Sequence, residues 1–209
     1  MKTLFSRLRS RRTPAGEEVT DSVLASSMFP ADDAAPMVDW ATRAAELKAH
    51  PLPPAEAAER MLQLWRADQP LGSLGDDAPA RLARWLQGAD VPADRELLKQ
   101  DEIGDHLLVL LEGRVVVERK HPNGTATRLM EARAGDLLGE MALFDGGPRF
   151  SACRTLTPCC VAVLDSAALD GLLAEDSPLA AALLVSITRR IALRLRQTGA
   201  RLSALLAPQ

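Results

Sequence analysis

The chain has 209 residues, enough for one ordinary domain and an appendage, with the apolar (47%) and charged (25%) fractions of a globular protein. A net charge of −3 argues against a nucleic-acid binder, and an aromatic fraction of 3% without a single Tyr supplies no base-stacking platform. No apolar run approaches the roughly 18 residues of a membrane span, and the basic residues of the opening segment interrupt any secretory pattern.

In chain order, "MKTLFSRLRSRR" carries Lys2, Arg7, Arg9, Arg11 and Arg12 without an acid, and Leu4, Phe5 and Leu8 can share a helical face. Such a segment suits anionic lipid or an acidic partner, or it is a solvated tail. Thr13 to Val38 holds five acids, no bases and three prolines, which reads as a linker with little to bury. Residues 1–38 are therefore expected to be tail and linker, 39–70 a helical extension, and 71–209 the main domain.

Two helices are expected in the extension. "DWATRAAELKAH" is rich in Ala and Leu and stops at Pro51, and "PAEAAERMLQLWRADQ" opens with Pro at a tolerated first-turn position. A third, "APARLARWLQG", is expected to end at Gly88. Trp40, Trp65 and Trp85 lie on these helices and read as core anchors.

After Val91 the texture changes to strands. "LLVLLEGRVVVERK" is an apolar run turning into alternation about Gly113, and Asn123-Gly124 is a hairpin turn. Gly135-Asp136 marks another turn, and "ACRTLTPCCVAVLD" supplies two short strands broken at Pro158. Short strands at near-regular spacing point to a small antiparallel barrel or roll. "SAALDGLLAED" then gives a short helix, followed by a long one with Ser177 as N-cap and Pro178 at N1. Its apolar stripe runs Leu179, Leu183, Ile187, Ile191, Leu195, Leu202 and Leu205, opposite Arg189 and Arg196.

Cys153, Cys159 and Cys160 sit in apolar surroundings without metal spacing and read as buried reduced thiols, which makes a cytoplasmic location the default. His50, His106 and His121 fall in a linker, at a strand edge and in a hairpin, away from any nucleophile. No Walker loop, dinucleotide fingerprint or metal cluster is present, so the chain is not expected to be an enzyme.

The stretch that carries chemistry is "GEMALFDGGPRFSA", residues 139–152. Gly139 permits a tight turn, and "EMALF" can form one helical turn whose free N–H groups suit an anion. Arg149 is a permanent cation whose donor fork fits phosphate oxygens, whereas Glu140 would accept from sugar hydroxyls and repel phosphate. Gly146, Gly147 and Pro148 would bring Arg149 back beside Gly139. Together they suit a ligand with phosphate at one end of a ribose, although a Glu and an Arg so spaced also form purely structural ion pairs.

Residues from about 71 to 206 resemble the cyclic-nucleotide-binding domain family, the β-roll of the bacterial catabolite activator protein and of protein kinase A regulatory subunits. The resemblance rests on "IGD" at 103–105, "EGRVVV" with Gly113, "AGDLLGEMALF", "GGPR" ending in Arg149, and "CCVAVLD". It implies a mainly β fold with flanking helices: an antiparallel, jelly-roll-like β-roll with N-terminal helices and a long C-terminal helix. It further implies that Glu140 receives the ribose 2′-hydroxyl and Arg149 the cyclic phosphate, with backbone contacts from Gly139 and Ala142. Val117, Leu129 and Leu143 would line the apolar slot beside the base, and Met141 and Ser151 would border the site. Arg190 and Arg194 would stand at the level of the base, while Gly113, Gly135 and Asp136 shape turns.

Two departures from the family pattern stand out. Phe150 replaces the small residue that usually follows the arginine, and Asp101 replaces a glycine of the first strand turn. Phe150 also removes the threonine associated with cGMP, so cAMP is the favoured ligand, with cGMP or cyclic di-GMP as alternatives. The family's DNA-reading domain is not expected, since the sequence stops just after the long helix. The reading is a cyclic-nucleotide sensor or adaptor that signals to a partner protein, with a homodimer through the C-terminal helix as an option. The alternative is a ligand-independent scaffold on the same fold.

Overall fold

A computed structural model describes residues 36–207, so the basic opening segment and nearly all of the expected linker lie outside the described residues. In chain order the elements are α1 (Trp40–Leu47), β1 (His50–Leu52), α2 (Pro54–Leu64), α3 (Gln69–Gly72), α4 (Ala78–Ala83), β2 (Gln87–Val91), β3 (Glu96–Leu98), β4 (His106–Glu112), β5 (Val115–Lys120), β6 (Ala126–Ala132), β7 (Leu137–Leu138), α5 (Glu140–Asp145), β8 (Ala152–Thr155), β9 (Cys159–Asp165), α6 (Ser166–Glu175) and α7 (Ser177–Leu206).

The strands form two antiparallel sheets, ordered β1-β2-β9-β4-β7 and β3-β8-β5-β6. The apolar run of β4 is continuous because both its faces are covered. Leu107, Val109 and Leu111 point to a cluster shared with α2, α6 and α7, while Leu108 and Leu110 point between the sheets. β9 repeats the alternation, with Cys160, Ala162 and Leu164 toward the helices and Cys159, Val161 and Val163 toward the other sheet. Each buried Leu or Val among them contributes about 1.5–3 kcal/mol through burial. The mainly β roll with flanking helices and a long terminal helix is thus the observed architecture.

The extension is built into the same core. Met61 and Trp65 of the α2 end are almost fully buried against β4, β9 and α7, and Trp65 Nε1 donates to the Gly135 carbonyl at 2.9 Å. Trp40 is buried on the other cluster, and Trp85 packs so closely on Gly171 that a Cβ there would stand 2.2 Å from its ring.

Several boundaries differ from expectation. The second helix ends at Leu64 with α3 as a separate turn, and the third ends at Ala83, because Gln87–Val91 pairs with β9 and β1 as a strand. Gly88, read as a helix stop, lies inside β2, where a Cβ would meet the Leu52 carbonyl at 2.8 Å. His50, placed in a linker, starts the edge strand β1. The N-cap of α7 is Asp176, whose Oδ1 accepts from Leu179 N at 3.2 Å; Ser177 is already helical. A carboxylate serves as well as a hydroxyl there, and this one also receives a bidentate Arg81 at 2.7 and 2.8 Å. The Asn123-Gly124 turn forms as expected, with Gly124 at φ 81° and Thr125 N donating to Asn123 Oδ1. All three cysteines are free and buried.

Candidate ligand site

The two sheets, the β7–α5 junction and α7 meet at Gly139. This residue has φ 75°, a left-handed conformation that costs glycine nothing, and it hands the chain from β7 into the six-residue α5. From the far end of α5 the chain returns through Gly146 at φ 70° and Pro148, which bridges to Ile103. The Arg149 main chain is then pinned twice, its N–H donating to the Glu102 carbonyl at 2.7 Å and its carbonyl accepting from Asp101 N at 2.9 Å.

That second bond depends on Asp101, the residue standing where the family pattern has glycine. Its φ is 66°, so the turn keeps its left-handed geometry with aspartate in place of glycine. Aspartate tolerates this region better than most residues.

The Arg149 side chain is 3% exposed. Its Nη1 donates to the Gly139 carbonyl at 2.8 Å, and Nη2 has no hydrogen-bond partner. The guanidinium lies close against two glycines. A Cβ on Gly104 would stand 2.5 Å from Nη2, and one on Gly139 would stand 2.6 Å from Nη1. Burial, the largest influence, pulls the proton affinity of Arg149 down to about 10, so it remains a full cation at neutral pH. A buried cation with an unsatisfied donor is costly and persists where something else requires it.

Glu140, at the first position of α5, is 5% exposed. Its Oε1 accepts from Arg194 Nη1 of α7 at 2.8 Å, and Arg194 Nη2 donates to the Leu137 carbonyl at 2.8 Å. The charges of Glu140, Arg149 and Arg194 converge on Cys153 of β8, whose thiol burial pushes up to about 12. Cys153 faces Val117 across the β5–β8 ladder, which places Val117 beside the same charges.

Gly139, Glu140, Ala142, Arg149, Arg194 and Val117 are therefore brought together. Of the remaining sequence-predicted residues, Ser151 also borders that group through Cys153, and the others lie apart from it or point away. Leu143 is buried in the cluster facing the helices, while Leu129 and Met141 are exposed. Phe150 turns outward, 40% exposed, with the Arg119 guanidinium stacked 4.3 Å from its ring centroid, so it does not fill the space beside Arg149. Ser151, half-buried just before β8, makes a side-chain hydrogen bond with Cys153. Arg190 stacks 3.9 Å over the Trp65 ring and pairs with Asp68. Gly104, part of "IGD", is a site residue the sequence reading does not single out; its signal is a glycine two residues before β4, where only a missing side chain admits the guanidinium.

Among the described residues, no group of three His, Cys, Asp or Glu is placed to hold a metal ion. Also among them, no helix is long and apolar enough to cross a membrane.

Residues 89–176 match the family model of the cyclic nucleotide-binding domain. The match spans the β-roll from β2 to the end of α6, and this part of the chain has the cyclic nucleotide-binding domain fold. It is 33% identical over 129 residues to a CRP-like cAMP-activated global transcriptional regulator of Mycobacterium tuberculosis, an alignment covering 62% of this chain and 56% of the regulator. The chain thus spans little more than half the length of that relative. Among solved structures, it resembles a cyclic nucleotide-binding domain from Methylobacillus flagellatus with TM-score 0.68 and 27% identity, covering 77% of this chain and 91% of that one. It also resembles the Thermus thermophilus catabolite activator protein with TM-score 0.55 and 25% identity, covering 64% and 61%.

Proposed function

We propose that the protein is a cyclic-nucleotide sensor, with cAMP as its favoured ligand, that passes ligand state to a partner protein and performs no catalysis. The observation that carries this reading is the buried Arg149, with one guanidinium nitrogen unpaired and two glycines cleared around it. A cyclic phosphate carries one negative charge and acceptor oxygens, which offset the desolvation of such a cation and satisfy its donor. Glu140, one peptide from the carbonyl that Arg149 holds, serves the ribose 2′-hydroxyl, and Val117 borders the apolar side.

Signal transmission follows from the elements that meet there. Phosphate on Arg149 organises the Gly139–Ala142 turn, and the helices packed on that turn redistribute according to their relative affinity for the filled and empty roll. Such coupling is typically worth ~1–3 kcal/mol. The outward leucines of α7, with Leu195 at 72% and Leu205 at 82% exposure, offer a surface for a second copy or another protein.

One observation favours the scaffold reading: the Glu140 carboxylate is already engaged by Arg194. Titration calorimetry of the full chain with cAMP, cGMP and cyclic di-GMP decides between them. The sensor gives saturable heat with cAMP, and Arg149→Met abolishes it while leaving the fold intact. Folded protein silent toward all three nucleotides is the scaffold's result.

A further inference from the structure

We infer that Arg194 is a built-in competitor for the sugar end of the site, holding the Glu140 carboxylate so that a ribose hydroxyl must compete with it. The inference rests on the sensor reading of Glu140 and adds to it a regulatory residue on the terminal helix.

The two halves of the site are treated oppositely. At the anion end, Arg149 keeps a donor unpaired. At the sugar end, Arg194 donates to Glu140 Oε1 and to the Leu137 carbonyl, bridging the carboxylate and the strand that leads into it. The Glu140 side chain is 7% exposed and that of Arg194 30%, so the pair is shielded on the carboxylate side and open on the other. A guanidinium is a stronger donor to a carboxylate than a neutral hydroxyl, and a carboxylate already neutralised offers less to any new donor. Glu140 therefore offers its full acceptor strength to a ribose hydroxyl only when Arg194 withdraws from Oε1.

Withdrawal has a path. One turn earlier on α7, Arg190 fixes the same segment by pairing with Asp68, stacking on Trp65 and approaching the Gly135 carbonyl at 3.4 Å. Beyond Ile191 the contacts fall away: Leu193 is 51% and Leu195 72% exposed. Arg194 thus sits at the boundary between the packed and projecting parts of the helix, where it can release Glu140 without breaking the core formed by Leu179, Leu183 and Ile187. Exchange of Arg194 for a hydroxyl couples sugar recognition to the outer half of α7.

The test is calorimetry of the full chain and of Arg194→Ala with cAMP and with 2′-deoxy-cAMP, which lacks the competing hydroxyl. Arg194→Ala is expected to bind cAMP about tenfold more tightly, within the range typical of coupled sites, and to leave the deoxy compound nearly unchanged. Arg194→Gln, which can still donate to the Leu137 carbonyl, should move in the same direction and guards against a folding defect. Binding of cAMP only after the substitution would support the inference in its strongest form. Equal or weaker cAMP binding by the variants overturns the inference and leaves the sensor reading standing. Equal tightening toward both compounds indicates a loosened helix and also overturns it. Folded protein and variants that bind neither compound end the sensor reading and the inference together.

Discussion

At the scale of single residues, the cost of keeping a site open is visible in the ionisable groups around Gly104. Arg149 is one; His106 is another. His106 is 2% exposed, lies edge-on to Trp40 at 5.7 Å, and neither ring nitrogen makes a hydrogen bond. It faces Asp105, with Arg149, Arg43 and Asp39 contributing further charge. Burial, the largest influence, holds its pKa below the ordinary 6.5. The unfolded chain therefore takes up this proton at a higher pH than the folded one. The stability associated with neutral His106 is complete above about 6.5 and is lost as pH falls through the folded value. His106→Phe keeps the packing on Trp40 and removes the titration, so its melting temperature should decline less in mild acid than that of the wild type. Calorimetric melts from neutral to mildly acidic pH check this, and parallel declines would refute it. The charged residues of the site were readable from their types and spacing, since only a permanent cation and a carboxylate suit a sugar phosphate. The partner of Glu140 was not, because Arg194 lies 54 positions away and its reach depends on where α7 crosses the roll.

At the scale of elements, glycines record where helices and strands approach. Gly171 of α6 lies under the Trp85 ring, and Gly171→Ala would force that ring aside. Such overpacking costs about 1–3 kcal/mol, so the variant should melt several degrees lower while its Arg149 site stays intact, as thermal denaturation with and without cAMP would report. An unchanged melting temperature would mean that Trp85 moves without penalty. The elements with two covered faces, β4 and β9, were legible as apolar runs, and the β5–β6 hairpin announced itself through Asn123-Gly124. β1 and β2 were not legible. "HPL" and "QGADV" carry little strand propensity; β2 is a strand because β9 offers an edge to pair with, and β1 because β2 in turn does.

At the scale of the whole molecule, the roll, the extension and α7 share one core through Trp65, Leu164 and Leu183, so ligand binding to the native state should stabilise all of them together. At about one hundred times its dissociation constant, a ligand specific for the folded state adds ~2.7 kcal/mol. For a chain of this size that raises the melting temperature by roughly 5–10 °C. cAMP should produce this shift in the wild type and none in Arg149→Met. A shift that survives the substitution would place the nucleotide elsewhere.

The sequence by itself determined the roll, its turns and the presence of a carboxylate and a cation within Gly139–Arg149, because these depend on local alternation, glycine conformation and residue chemistry within short stretches of chain. Tertiary structure alone decided that Asp101 takes the backbone shape of a glycine, that Gly104 admits the guanidinium, that Phe150 turns outward beneath Arg119, and that Arg194 holds Glu140. Each of these is a contact between segments brought together only when the sheets close and α7 lies across them, and such distances are set by packing rather than by neighbours in sequence.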